Sequence, residues 1–288
     1  MEITSELIKQ LRDKTGAGMM DCKRALESSG GNMDAAIEYL RKKGAAVAQK
    51  RADRAAKEGM IVTRVSSNGA SGVIVEVNCE TDFVARSEDF VGFAEAVAAT
   101  IAASKPADVG MLATLAAPGG KSITAMTDDL LSKVGEKIDV RRFAVMESAN
   151  GVIASYTHMG NKIGVLVELS GLPPEAAVSG VGRDIAMQIA AMNPAVITRE
   201  DVGKTLVDRE LDIYRTQAKN EGKPAQIVDK IAAGKLEKFY QEVCLLEQTF
   251  IKDSGKTVKD YLHEATAKGG NDVRVLGFKR FHLGEEVQ

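Results

Sequence analysis

The chain has 38 basic residues against 40 acidic ones, so it lacks an excess of either sign. General binding to nucleic acid or another polyanion is therefore not indicated. Its three cysteines, Cys22, Cys79 and Cys244, are far apart, odd in number and without a C-x-x-C pair. That pattern excludes a disulfide framework and suits a reducing compartment. No apolar run approaches membrane-spanning length. The N-terminus, M-E-I-T-S-E-L-I-K-Q, has neither the long apolar core of a signal peptide nor the acid-poor character of a transit peptide. The expectation is a cytoplasmic protein with no membrane contact.

Catalytic motifs are missing too. Gly120-Lys121-Ser122, Gly203-Lys204-Thr205 and Gly255-Lys256-Thr257 each resemble the end of a phosphate-binding loop. The earlier glycine that the loop requires is replaced by Leu115, Thr198 and Phe250. Gly16-x-Gly18 follows a helical pattern rather than a strand, which removes a dinucleotide fingerprint. His158, His263 and His282 are scattered, and none forms a zinc pair. Neither metal nor cofactor is expected, and no covalent chemistry.

What is there is organised. Residues 1 to about 44 read as three short helices. Thr4 or Ser5 caps the first and Asn32 the third, with Gly44 after Lys42 and Lys43 expected to end it. Residues 41 to 58, rich in Ala, Lys and Arg, read as a solvated, partly helical linker. Beyond it the chain reads as one pattern written twice: G-M-I-V-T-R-V from Gly59 matches G-V-I-A-S-Y-T from Gly151. G-V-I-V-E-V from Gly72 matches G-V-L-V-E-L from Gly164 at the same offset. A helix ending at Pro106 answers one ending at Pro194, and strands tipped by Phe143 and Phe281 close the halves, the second after a much longer interval. That describes a duplicated unit with an insertion in its second copy. The insertion, at about 206–245, reads as two antiparallel helices joined at Gly222-Lys223-Pro224. The fold class is α+β: a three-helix module with its basic linker over 1–55, then related units over 56–147 and 148–288 with antiparallel sheets.

One short stretch raises a question. Val75, Val77 and Cys79 alternate with Glu76 and Asn78, as in a half-buried strand. From Ser87, a candidate N-cap, apolar residues from Phe90 to Ile101 follow helical spacing. Thr81-Asp82-Phe83 is left on the connection, where the pattern has two readings for Phe83: a staple of its own helix onto the core, or a group held there for a contact.

V-N-C-E-T-D-F-V-A-R (Val77–Arg86) resembles a motif of the bacterial elongation factor Ts family, the guanine-nucleotide exchange factors of elongation factor Tu. So do L-R-D-K-T-G-A-G-M-M-D-C-K-R-A-L from Leu11, G-E-K-I-D-V-R-R from Gly135 and H-M-G-N-K-I-G-V-L-V from His158. The resemblance implies a ubiquitin-associated-like N-terminal domain and a core of two related subdomains with a helical hairpin. It implies elongation factor Tu as partner, no direct nucleic-acid contact, and a core able to pair with a second copy. It also implies roles. Phe83 would enter the partner near its magnesium site, with Thr81, Asp82 and Val84 around it. Leu11, Met19 and Met20 of the N-terminal module would grip the same partner domain. Gln188 stands where some members carry histidine, as a further contact position. Some members continue into a C-terminal helix that touches the partner; here that contact is expected to be missing. Two other readings stay open: an adaptor that binds without exchanging nucleotide, and RNA binding through residues 41 to 57.

Overall fold

The computed structural model describes residues 3–51, 54–175, 180–269 and 271–286, and for 45–51 the backbone alone. Helices α1 (Ser5–Thr15), α2 (Met19–Ser28) and α3 (Met33–Arg51) close on Leu11, Cys22, Ala25, Leu26, Ala36 and Leu40. Thr4 caps α1, its hydroxyl accepting from the Leu7 amide at 3.2 Å, and Asn32 caps α3 through the Ala35 amide at 3.0 Å. Gly16, at φ +69°, ends α1 in the left-handed conformation that glycine adopts at little cost.

The stop expected at Gly44 does not occur. Helix α3 runs on to Arg51, because the alanine-rich stretch that follows consists of strong helix formers. Gly44 is instead a point of close approach. A β-carbon there would collide with the Ser132 hydroxyl, so the glycine marks where α3 crosses close over a core helix. The basic strip that offers an RNA contact lies partly outside the described residues, at 52 and 53 and in the side chains of 45–51.

The rest of the chain builds two three-stranded antiparallel sheets. The first has the order β1 (Glu58–Val65), β2 (Ser71–Cys79), β3 (Ile138–Glu147). The second has β4 (Val152–Thr157), β5 (Ile163–Ser170), β8 (Arg274–His282). Their registers correspond: Val65 faces Gly72 in one and Thr157 faces Gly164 in the other. Each central strand shifts register against its closing strand at one place, Glu76/Val77 and Glu168/Leu169. The sheets meet over Ile61, Ile74, Ile153, Leu166 and Phe281. Two equivalent bonds cross between them, Ile61 N–H to the Asn161 carbonyl at 2.7 Å and Ile153 N–H to the Gly69 carbonyl at 2.8 Å.

Helices cover the outer faces. On the first sheet lie α4 (Asp82–Ala85), α5 (Glu88–Ser104), α6 (Val109–Thr114) and α7 (Ile123–Val134), sealing Val75, Val77, Phe90, Val97 and Ile101. On the second, α8 (Val181–Met192) buries Ile185 and Ile189. Helices α5 and α8 end alike, with Lys105 and Asn193 both at φ 45° immediately before a proline.

The second half carries the helical hairpin, α9 (Lys204–Asn220) and α10 (Ala225–Val243), turned at Gly222 with φ +72°. Pro224 is the N-cap of α10 rather than its first helical residue. A two-stranded ribbon, β6 (Thr249–Phe250) with β7 (Asp253–Thr257), and α11 (Val258–Gly269) then lead to β8.

Strand β2 is buried on both faces, not one. Glu76 is enclosed because it accepts from Arg142 Nε at 2.7 Å, Arg141 Nη1 at 3.2 Å and the Gly284 amide at 2.9 Å. A buried carboxylate with this many donors is compensated. It also ties the end of the second half to the first sheet.

Candidate functional site

Cys79 pairs with Ile138 as the last rung of β2 against β3, and then the strands part. Two glutamates continue the contact where backbone pairing ends. Glu80 accepts from the Lys137 amide at 2.7 Å. Glu136 accepts from the Thr81 amide at 3.0 Å and from the Thr81 hydroxyl at 2.7 Å. Arg54 adds an ion pair to Glu80 at 3.1 Å. The Cys79 thiol donates to the Thr81 carbonyl at 3.1 Å, and burial pushes its pKa up to about 12, which favours the neutral thiol.

The sequence predicts an open connection at Thr81-Asp82-Phe83; the structure makes Asp82–Ala85 a one-turn helix with Thr81 as its N-cap. An isolated turn is too short to be stable alone. This one is seated from below, where Val84 and Ala85 rest on the core of the first half, and Ser87 closes it by donating to the Val84 carbonyl at 2.8 Å. Asp82 and Arg86 form a surface ion pair at 3.0 Å, a contact of small energetic worth. Phe83 is 84% exposed, while Phe90, one helix later, is fully buried. A single exposed apolar residue is ordinary. Here the exposed phenyl stands on a short helix braced at its cap and packed underneath.

The other residues divide. Met19 and Met20 open α2 after the N-cap Gly18, with 48% and 62% of their surface exposed. Flexible thioethers in such a place suit an adaptable contact. Leu11 has no exposed surface, so it shapes the bundle from inside. Gln188 is also fully buried. It donates to Gln248 Oε1 at 3.2 Å and to the Thr249 carbonyl at 3.1 Å, and accepts from the Ile251 amide at 2.8 Å. A side chain so engaged holds the β6–β7 ribbon on α8, and no part of it lies at the surface expected of a contact position. The glutamate brace escapes sequence reasoning, since nothing in the local pattern joins Thr81 to a residue on the far side of four helices.

Among the described residues no group of His, Cys, Asp and Glu is placed to hold a metal ion. No helix among them is long and apolar enough to cross a membrane.

The family model for elongation factor Ts matches residues 80–285. An elongation factor Ts of Prosthecochloris aestuarii is 49% identical over 286 residues, 98% of this chain and 99% of its own length. That of Chloroherpeton thalassium is 45% identical, with 99% of each chain covered. One from Clostridium botulinum, strain Alaska E43, is 43% identical over 99% of this chain and 94% of its own.

Proposed function

Because the chain belongs to the elongation factor Ts family and so is a translation elongation factor, we propose that it binds elongation factor Tu carrying GDP and promotes GDP release by wedging Phe83 into the partner beside its magnesium and nucleotide site. GTP then rebinds. The observation that carries this reading is the Phe83 ring, 84% exposed on a helix whose position is fixed at its cap and its base. Asp82 lies beside it as the polar part of the contact, Thr81 and Val84 hold the turn, and Met19 and Met20 give a second grip. Residues 1–55 act as the docking module, and the units 56–147 and 148–288 form the rigid core that carries the wedge. The site of action is the cytoplasm.

The chemistry needed is linkage rather than catalysis. A factor that binds the nucleotide-free partner more tightly than the GDP form weakens GDP by the same ratio. No bond is made or broken in such a step. The test is release of labelled GDP from elongation factor Tu. The chain should accelerate it and Phe83→Ala should not. A chain that binds the partner and leaves the release rate unchanged is the adaptor instead.

A further inference from the structure

We propose that Glu136 is a positioning residue for nucleotide exchange: its carboxylate orients the Thr81 cap and so fixes the direction in which α4 presents Phe83, a role that rests on the wedge reading above. Glu136 is separated from Thr81 by the whole of α4 to α7, yet it takes both of that residue's donors, the amide at 3.0 Å and the hydroxyl at 2.7 Å. The capping bond itself, from the Val84 amide to Thr81 Oγ1, is long at 3.4 Å. With its proton committed to Glu136, the hydroxyl turns a lone pair toward the Val84 amide, as the cap requires. A four-residue helix has little cooperativity of its own, so its axis follows its cap.

Glu136 is itself held on both sides. Gly135 ends α7 in the left-handed conformation, with its amide donating to the Leu131 carbonyl at 2.8 Å. After Glu136, the Lys137 amide donates to Glu80 and Ile138 begins the pairing with Cys79. The carboxylate therefore transmits the position of the core sheet to the helix under Phe83. Charged acceptors make the stronger class of hydrogen bond, and a displaced binding group loses function steeply with distance.

The experiment measures GDP release from elongation factor Tu across a range of factor concentrations. Glu136→Ala should lower the rate at saturating factor about tenfold and leave the half-saturating concentration within about twofold, since no partner contact is removed. Glu136→Gln should recover most of the rate, because its amide can accept from the Thr81 amide and donate to the Thr81 hydroxyl oxygen. Phe83→Ala with Glu136→Ala should be no slower than Phe83→Ala alone, as expected of two residues acting through one group. If Glu136→Ala exchanges normally while Phe83→Ala is slow, or if the two losses multiply, the positioning role is overturned and the wedge survives. A normal rate in Phe83→Ala overturns both. Should Glu136→Ala melt early, Thr81→Val carries the test: it keeps the backbone bond, removes the hydroxyl, and should slow saturating exchange about threefold. An unchanged rate there overturns the role as well.

Discussion

Gly164 lies directly against Ile61: a β-carbon at Gly164 would stand 2.5 Å from Ile61 Cγ2. Gly72 repeats the relationship across the same interface, 2.8 Å from Ile153 Cγ2. Neither glycine is at positive φ, so backbone freedom is not the reason for them. They let two sheets approach face to face, one glycine from each half. Gly164→Ala and Gly72→Ala should each destabilise the core by about 1–3 kcal/mol through overpacking. Gly92→Ala, on α5 with nothing near the added carbon, should instead stabilise by up to about 1 kcal/mol. Urea midpoints for the three variants give the comparison; equal midpoints for Gly164→Ala and the unmodified chain would count against the close packing.

Gln188 is engaged on three sides inside the second half. Gln188→Leu should cost about 1–3 kcal/mol, because the buried Gln248 side chain and the partly buried Ile251 amide and Thr249 carbonyl lose their partner. Exchange per folded molecule should stay near normal. A stable Gln188→Leu with weakened partner binding would return the residue to the surface role that its burial argues against.

The duplication is legible in the sequence, because hydrophobic alternation and glycine position both repeat when two strands share a register, and Gly72 and Gly164 have a packing reason to persist. Caps at Thr4, Asn32 and Ser87 are legible for a similar reason: the partner of a cap lies three residues away. Burial of Glu76 is not. Its partners Arg141, Arg142 and Gly284 lie 65 or more residues further on, and an isolated glutamate in a strand reads as solvent-facing. Gln188 fails likewise, its neighbours being Gln248 to Ile251. Pattern alone leaves Phe83 open between a staple of its own helix and an exposed ring, and only the family resemblance singles it out; its exposure, and the contact to Thr81 from a residue beyond α7, are visible only in the structure.

Met19 and Met20 are half-exposed neighbours in the first turn of α2. Replacing both with alanine should leave the melting temperature nearly unchanged, since alanine favours the helix and little buried surface is lost. Affinity for elongation factor Tu should fall about tenfold, the loss of a modest apolar contact. Leu11→Ala is the contrast. It should destabilise the bundle by about 2–5 kcal/mol. Amide exchange over α1 to α3 distinguishes the two: raised in Leu11→Ala, unaltered in the methionine pair. Faster exchange in the methionine variant would make those residues core.

Phe83 and Phe90 provide the sharpest comparison, being the same residue type on adjacent helices with opposite environments. Phe90 is enclosed by the first half's core, so Phe90→Ala should cost roughly 3–5 kcal/mol of stability. Phe83 has 84% of its surface in solvent and little to lose on truncation. On the wedge reading its energy is realised only when a partner covers it, and an aromatic anchor at an interface centre is typically worth about 2–4 kcal/mol. If that energy appears as nucleotide leaves, Phe83→Ala should slow GDP release on the order of 30- to 1000-fold, one factor of ten for each 1.4 kcal/mol or so. Asp82→Ala should cost about tenfold or less, because water can replace part of a polar rim contact. Melting temperature and release rate measured on the same preparations decide the matter. A wedge moves the rate and spares the melting temperature. A Phe83→Ala chain that melts early while its folded fraction exchanges normally would place the ring in the core and leave GDP release to some other part of the surface.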